Sequence, residues 1–217
     1  MPADVEARIA RVKRVVDAAR SVATDGNVVA ALLESSGLSR EGVMLALGEH
    51  LELAPSDAEL ASLVARATPT SHVHVVLSAN VFVGALRAIA CAVAAAPKVT
   101  VQISSRESAF ATALVDAIAD PAICAADRAA ITTMTGGEIH VYGRSETIAA
   151  IRGVAPPGVP VRAHGPGFGV AFVGREDLME AAATALASDV VVFDQRGCLS
   201  PRVAFVAGSS ECASAVA

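Results

Sequence analysis

The sequence predicts an α/β protein built on a Rossmann-type parallel sheet with flanking helices, preceded by a helical N-terminal region. Three observations carry this. From residue 68 onward, short apolar runs alternate with helix-patterned ones, which is the signature of strand–helix units joined by right-handed crossovers. Apolar residues make up 53% of the 217-residue chain but aromatics only 3%, so the core is built from Ala, Val, Leu and Ile, which suit helices packed on a buried parallel sheet. Polar and glycine-rich clusters fall just after the apolar runs, where ligands of such sheets bind.

The elements follow in order. Val5, Ile9, Val12, Val15 and Val16 recur at helical spacing and predict a helix over 3–23. A short helix follows over 27–35. Gly37 punctuates, Ser39 caps a helix over 40–51, and Ser56 caps another over 57–67. A buried strand is expected over 72–77 and a helix over 82–96, ending at Pro97. The next strand is 99–103 and the next helix 107–118. Gly136 and Gly137 precede a strand over 139–142, and Gly143 turns the chain into a helix over 145–153. Pro156, Pro157 and Pro160 break the chain before a strand at Val161. A glycine-rich stretch with Gly165, Gly167 and Gly169 leads into the apolar run 170–173. The remaining expectations are a helix over 177–188, a strand over 190–193 and a final strand over 202–207. The organisation expected is a helical region (1–67), a nucleotide-binding α/β unit (68–189) and the beginning of a third unit (190–217).

The bulk composition excludes several classes. The longest apolar run, 89–97, falls far short of the roughly 20 residues of a membrane span. The amphipathic start lacks the apolar stretch of a signal peptide, so a cytoplasmic location is expected. With a net charge of −5 and no basic patch, no nucleic-acid partner is expected. Four cysteines, at 91, 124, 198 and 212, form neither a CxxC pair nor a zinc spacing, so no metal site is expected.

The segment Phe193-Asp194-Gln195-Arg196-Gly197-Cys198-Leu199-Ser200-Pro201 resembles the active-site signature of the long-chain acyl-CoA reductases, which supply fatty aldehyde in bacterial luminescence and belong to the aldehyde dehydrogenase superfamily. Other segments match in the same order. Residues 77–82 resemble the superfamily's asparagine turn, 99–106 its ribose-contacting strand end, and 141–147 its nucleotide-binding turn. Residues 163–167 resemble the reductases' own glycine-rich turn, and 37–43 their helical N-terminal region. The resemblance implies an aldehyde dehydrogenase-like fold. The family's chains continue well beyond the cysteine, so it also implies an incomplete catalytic lobe.

The chemistry implied is reduction of an acyl-CoA, or another acyl thioester, to an aldehyde. Cys198 lies in a Gly-Cys turn where backbone N–H groups can lower a thiol pKa, and by resemblance it is the nucleophile. Asn80 reads locally as a helix N-cap, and by resemblance as an oxyanion donor. Gly143, Arg144 and Ser145 stand where a strand turns into a helix, either an ordinary tight turn or a pyrophosphate seat. Ser104, Ser105 and Arg106 read as a solvated helix start or as ribose contacts, with Arg106 pairing a 2′-phosphate and favouring NADPH over NADH. Gln102 stands where the superfamily commonly has lysine. His164, beside Gly165 in the glycine-rich turn, is a candidate proton donor to the nascent aldehyde or a structural histidine. The turn lacks the glutamate with which aldehyde dehydrogenases activate hydrolytic water, as suits a thioester reductase. Three other readings stay open: a non-catalytic nucleotide-binding remnant, a fragment of an aldehyde-oxidising dehydrogenase, and a module whose helices bind a partner subunit of a fatty-acid reductase complex.

Overall fold

A computed structural model of the chain describes residues 3–174, 179–197 and 200–208. The N-terminal region folds as helices α1 (Ala3–Ala23), α2 (Gly26–Ser35), α3 (Arg40–Glu49) and α4 (Asp57–Arg66). Their starts follow from local chemistry. Asp25, Ser39 and Ser56 each accept a backbone N–H from the first turn of α2, α3 and α4, and Ser56 and Glu59 complete a capping box.

The sheet then assembles from β1 (His72–Val76), α5 (Gly84–Ala95), β2 (Lys98–Gln102), α6 (Ala109–Ile118), β3 (Ile123–Ala125), α7 (Ala129–Thr132), β4 (Glu138–Tyr142), α8 (Ser145–Arg152) and β5 (Val161–His164). All five strands are parallel, in the order β3-β2-β1-β4-β5. The chain winds outward from β1 to β3 and then returns to lay β4 on the other side of β1. The reversal leaves a crevice beyond the carboxyl ends of β1 and β4. Alternation along the strands sends Val73, Val75, Val99 and Val101 into the core shared with α1, α5 and α6. Val76, Ile139 and Val141 go to the opposite face, against Ile148 and Ile151 of α8. Gly137, at φ 82°, starts β4 so close to β1 that a Cβ would lie 2.2 Å from the His72 carbonyl oxygen.

Beyond β5 the chain leaves this sheet. Strand β6 (Gly169–Val173), helix α9 (Met179–Val191) and strand β7 (Pro201–Val206) follow, and β6 pairs in parallel with β7 in a sheet of their own. A Cβ at Gly169 would sit 2.5 Å from the Ser200 carbonyl oxygen, so glycine is required where the two strands first meet.

The parallel sheet with flanking helices agrees with the sequence expectation, and four details correct it. The run 190–193 is not a strand: Val190 and Val191 end α9, and Val192–Gln195 form a tight turn with left-handed backbone at Phe193, Asp194 and Gln195. A short β-branched run has no period that separates strand from helix, and here the helix before it extends through. Strand β3 and helix α7 were not read, being three and four residues long. Helix α5 begins at Gly84 with no side-chain cap, so Asn80 is not an N-cap. Glu107 precedes α6, and its carboxylate accepts the Ala109 N–H at 2.8 Å.

Candidate active site

The residues singled out in the sequence gather at the carboxyl rim of the five-stranded sheet. After β1, the Leu77 N–H bonds the Gln102 carbonyl at 3.0 Å, so the chain stays in the sheet for one more residue before it turns. Ser78 Oγ then accepts the Asn80 N–H at 3.0 Å, tightening the turn. Released from capping, the Asn80 side chain reaches across the molecule: its Nδ2 donates to the Arg196 carbonyl oxygen at 2.5 Å. The asparagine turn and the cysteine-bearing segment are thereby joined. Cys198 and Leu199 themselves lie outside the described residues, as does Cys212. Of the other two thiols, Cys91 is partly buried and pushed up by that burial, and Cys124 is exposed.

The backbone leading to residue 198 is unusual. Phe193, Asp194 and Gln195 have φ of 54°, 49° and 61° in succession. Non-glycine residues rarely hold this left-handed conformation, at about 1–3 kcal/mol each. Side chains of the same segment anchor it to the N-terminal helices. Asp194 Oδ2 accepts the Ser39 N–H at 3.1 Å, and Arg196 donates to the carbonyls of Ser36 at 3.1 Å and Gly37 at 2.6 Å. The Phe193 ring lies 5.4 Å from that of His50. On the far side, Ser200 donates its N–H to the Gly197 carbonyl at 3.2 Å, and Arg202 bonds the Gln195 carbonyl at 2.8 Å.

At the end of β4, Gly143 leads into α8. The helix has Arg144 as its N-cap without a side-chain hydrogen bond, which leaves the first-turn N–H groups uncapped by side chain. Such a terminus, opening on the crevice beside β1, suits a phosphate. A Cβ at Gly143 would touch the Thr147 side chain at 3.4 Å. At the end of β2, Ser104 is half-buried, Ser105 and Arg106 are exposed, and Ser104 Oγ accepts the Arg106 N–H at 3.4 Å. Glu107 beside them is buried. Burial pushes its carboxyl up, against the backbone N–H groups of Ala109 and Phe110 that pull it down. The positions present therefore fit a dinucleotide laid from β2 across to α8. Gln102 contributes no cation there.

His164 closes the rim on β5. It pairs in register with Tyr142 and stacks on it, ring centroids 4.2 Å apart and planes within 5°. Its carbonyl accepts the Gly143 N–H at 3.2 Å, which fixes the glycine-rich turn of Gly165 to the turn at the end of β4. Burial, then the neighbouring His140 and Arg162, hold the imidazole below its ordinary range. Behind it, Glu138 is buried. Burial pushes its carboxyl up, but hydrogen bonds from His140 Nε2 at 2.8 Å and Arg162 Nε at 2.6 Å outweigh this and leave it below the usual range.

The structure thus brings Asn80, Gly143, Arg144, Ser145, His164 and Gly165 to three adjacent strand ends, with Ser104, Ser105 and Arg106 one strand further out. Sequence reasoning read Asp194 as a residue that orients the loop but did not find its partner, nor that of Arg196. Both stand inside the recognised segment, but their partners lie some 155–160 residues upstream. Among the described residues no group of His, Cys, Asp and Glu could hold a metal ion, and no helix is long and apolar enough to cross a membrane.

Residues 46–216 match the family model described as acyl-CoA reductase (LuxC). No curated protein matches the chain in sequence. Solved structures share its fold. A salicylaldehyde dehydrogenase from Pseudomonas putida G7, complexed with salicylaldehyde, superposes with a TM-score of 0.72 at 15% identity, over 98% of this chain and 50% of that one. A Rhodopseudomonas palustris propionaldehyde dehydrogenase with bound propionyl-CoA gives 0.70 at 12% identity, over 96% and 52%. An NADP-dependent glyceraldehyde-3-phosphate dehydrogenase from Bacillus halodurans C-125, complexed with NADP, gives 0.70 at 14%, over 98% and 51%. At these identities the likeness is one of fold, and the chain spans about half the length of each.

Proposed function

The chain belongs to the acyl-CoA reductase (LuxC) family, and from that membership we propose that it carries the nucleotide-binding half and the acyl-accepting Cys198 of an enzyme that reduces a fatty acyl-CoA to an aldehyde with NADPH. One contact supports this above all: the side-chain amide of Asn80 meets the segment that runs into Cys198. The propionyl-CoA bound to the Rhodopseudomonas palustris enzyme supports an acyl-CoA as substrate. Arg106 at the end of β2 supports a 2′-phosphate on the cofactor. The fatty chain follows the resemblance of residues 193–201.

In this reading the Cys198 thiolate adds to the thioester carbonyl. A bond forms between its sulfur and the acyl carbon, the bond to the CoA sulfur breaks, and CoA leaves as a thiolate. The nicotinamide, when bound, supplies the hydride, and with it the two electrons that the acyl carbon gains. The resulting thiohemiacetal oxyanion lies against the Asn80 amide, a donor whose removal from such a site typically costs about 2.7–4 kcal/mol of barrier. Collapse expels the Cys198 thiolate and frees the aldehyde. One proton is consumed overall and ends on the CoA sulfur. His164 is the candidate donor on the rim, with an imidazole held below its ordinary range. Ser104, Ser105 and Arg106 hold the adenosine end of the cofactor, and Gly143, Arg144, Ser145 and the Gly165 turn hold its phosphates.

The test is trapping with a radiolabelled long-chain acyl-CoA, in parallel with NADPH binding. The label is expected on the Cys198 peptide and is expected to vanish in Cys198→Ser, while NADPH binding persists. Equal labelling of parent and variant removes the nucleophile. NADPH binding with no label on either leaves a nucleotide-binding module without turnover. Co-purification with an acyl-transferring protein tests the proposed partner subunit.

A further inference from the structure

We infer that the Ser36–Ser39 turn between α2 and α3 is a clamp for the cysteine segment, with Arg196 and Asp194 as positioning residues that act through it. The inference rests on Cys198 being the acyl acceptor. It goes beyond the family match, which begins at residue 46 and leaves the turn out.

The argument starts from the backbone. Three consecutive residues with positive φ, none of them glycine, do not stay in that conformation by local preference. Something outside the segment must over-determine it. Within the described residues the restraints arrive from two directions. Asn80, at the sheet rim, holds the carbonyl of Arg196. The Ser36–Ser39 turn holds the side chains on either side of Gln195: its Ser39 N–H donates to the Asp194 carboxylate, and its Ser36 and Gly37 carbonyls accept the two Nη groups of Arg196. The complementarity is chemical as well as geometric. The turn presents an N–H at the start of α3 and carbonyls after α2, and the segment offers one anion and one cation to them in antiparallel order.

The turn is also shaped for its guest. Gly37 has φ 67°, and a Cβ there would lie 2.8 Å from Arg196 Nη1. A Cβ at Gly42, one helical turn further on, would lie 3.3 Å from Asp194 Oδ1. Two glycines thus keep clear the volume that the two charged side chains fill. Both charged side chains are solvent-exposed, so these bonds add little to global stability. Their consequence is geometric: they fix the path of the backbone from Asp194 through Arg196 into Gly197. A nucleophile held within about 0.5 Å of its productive place needs such a supporting shell.

The experiment uses the full chain and two probes. Radiolabelled palmitoyl-CoA reads acyl transfer to Cys198. Iodoacetamide, with the rate on each cysteine peptide followed by mass spectrometry from pH 6 to 10, reads thiol placement without any acyl chemistry. Arg196→Gln is expected to slow palmitoylation of Cys198 at least tenfold and to shift its alkylation profile along the pH axis, with Arg196→Lys recovering part of both. Cys91 and Cys124 should alkylate as in the parent, because the fold is intact. Gly37→Ala should reproduce the loss from the other side of the clamp, with the cysteine segment unchanged. Parent-like behaviour of Cys198 in Arg196→Gln and Gly37→Ala overturns the inference. So does faster alkylation of Cys91 in both, because the contacts would then hold the whole fold and not the turn. Absence of palmitate on Cys198 in the parent sinks the proposed function alone, since the alkylation profile still reports the clamp.

Discussion

Asn80 illustrates what a single residue can and cannot declare. An asparagine after a buried strand and before a helical run has a good local reason to cap that helix. The helix instead starts four residues later, at Gly84, and the amide is spent on the Arg196 carbonyl. Residue type and position were legible, because they follow from the strand's end. The partner was not, since it lies 116 residues downstream and no local pattern announces it. This placement gives a residue-scale expectation. Asn80→Ala should leave the thermal midpoint nearly unchanged, because Asn80 is exposed. Turnover of the acyl-enzyme should fall by about 10²–10³ if the amide serves the oxyanion. Single-turnover aldehyde release after loading the acyl group decides it. A rate within threefold of the parent returns Asn80 to a purely structural role.

At the scale of elements, legibility tracked burial. Strands β1, β2 and β4 carry valines and isoleucines that are fully or almost fully buried, and their runs stood out. Strand β3 has one buried residue, Ile123, and left no signal. The apolar run ending at Phe193 misled because its β-branched residues suit a strand, while the helix before it and the docking of Phe193 on the N-terminal core decide the outcome. The paired strands β1 and β2 also hold a feature that pH should expose. Thr100 Oγ1 lies 2.8 Å from both His72 Nε2 and His74 Nδ1, and its one proton serves only one of them. His74 is fully buried. Burial, then the nearby His72, lower its pKa from 6.5 to about 4, against Gln102 and Asp127, which raise it. The unfolded chain therefore takes up a proton in acid that the folded chain refuses. Stability is complete above pH 6.5 and falls as pH drops toward 4, by about 3 kcal/mol at most. Urea midpoints measured from pH 7.5 to 4.5 should decline in the parent and decline much less in His74→Asn. Parallel declines would assign the acid loss to other groups.

The whole molecule is built in two unequal parts, and the smaller one raises the last expectation. The five-stranded sheet is covered on both faces, and its central valines and isoleucines are out of water. Among the described residues the β6–β7 pair has no such cover. Phe172 and Phe205 stack on each other at 5.4 Å, yet they are 78% and 56% exposed, and helix α9 buries no side chain. Phe168, Val170, Val191 and Val203 are exposed as well. A two-stranded pair contributes little stability alone, and an apolar face of this kind with open strand edges is a surface on which chains associate. The isolated 217-residue chain should therefore self-associate with rising concentration in sedimentation velocity. Phe172→Ser combined with Phe205→Ser should reduce that association while leaving the thermal midpoint within about 2 °C, because side chains already in water lose little on becoming polar. A midpoint that falls by more than about 5 °C would mean that this face is packed in solution.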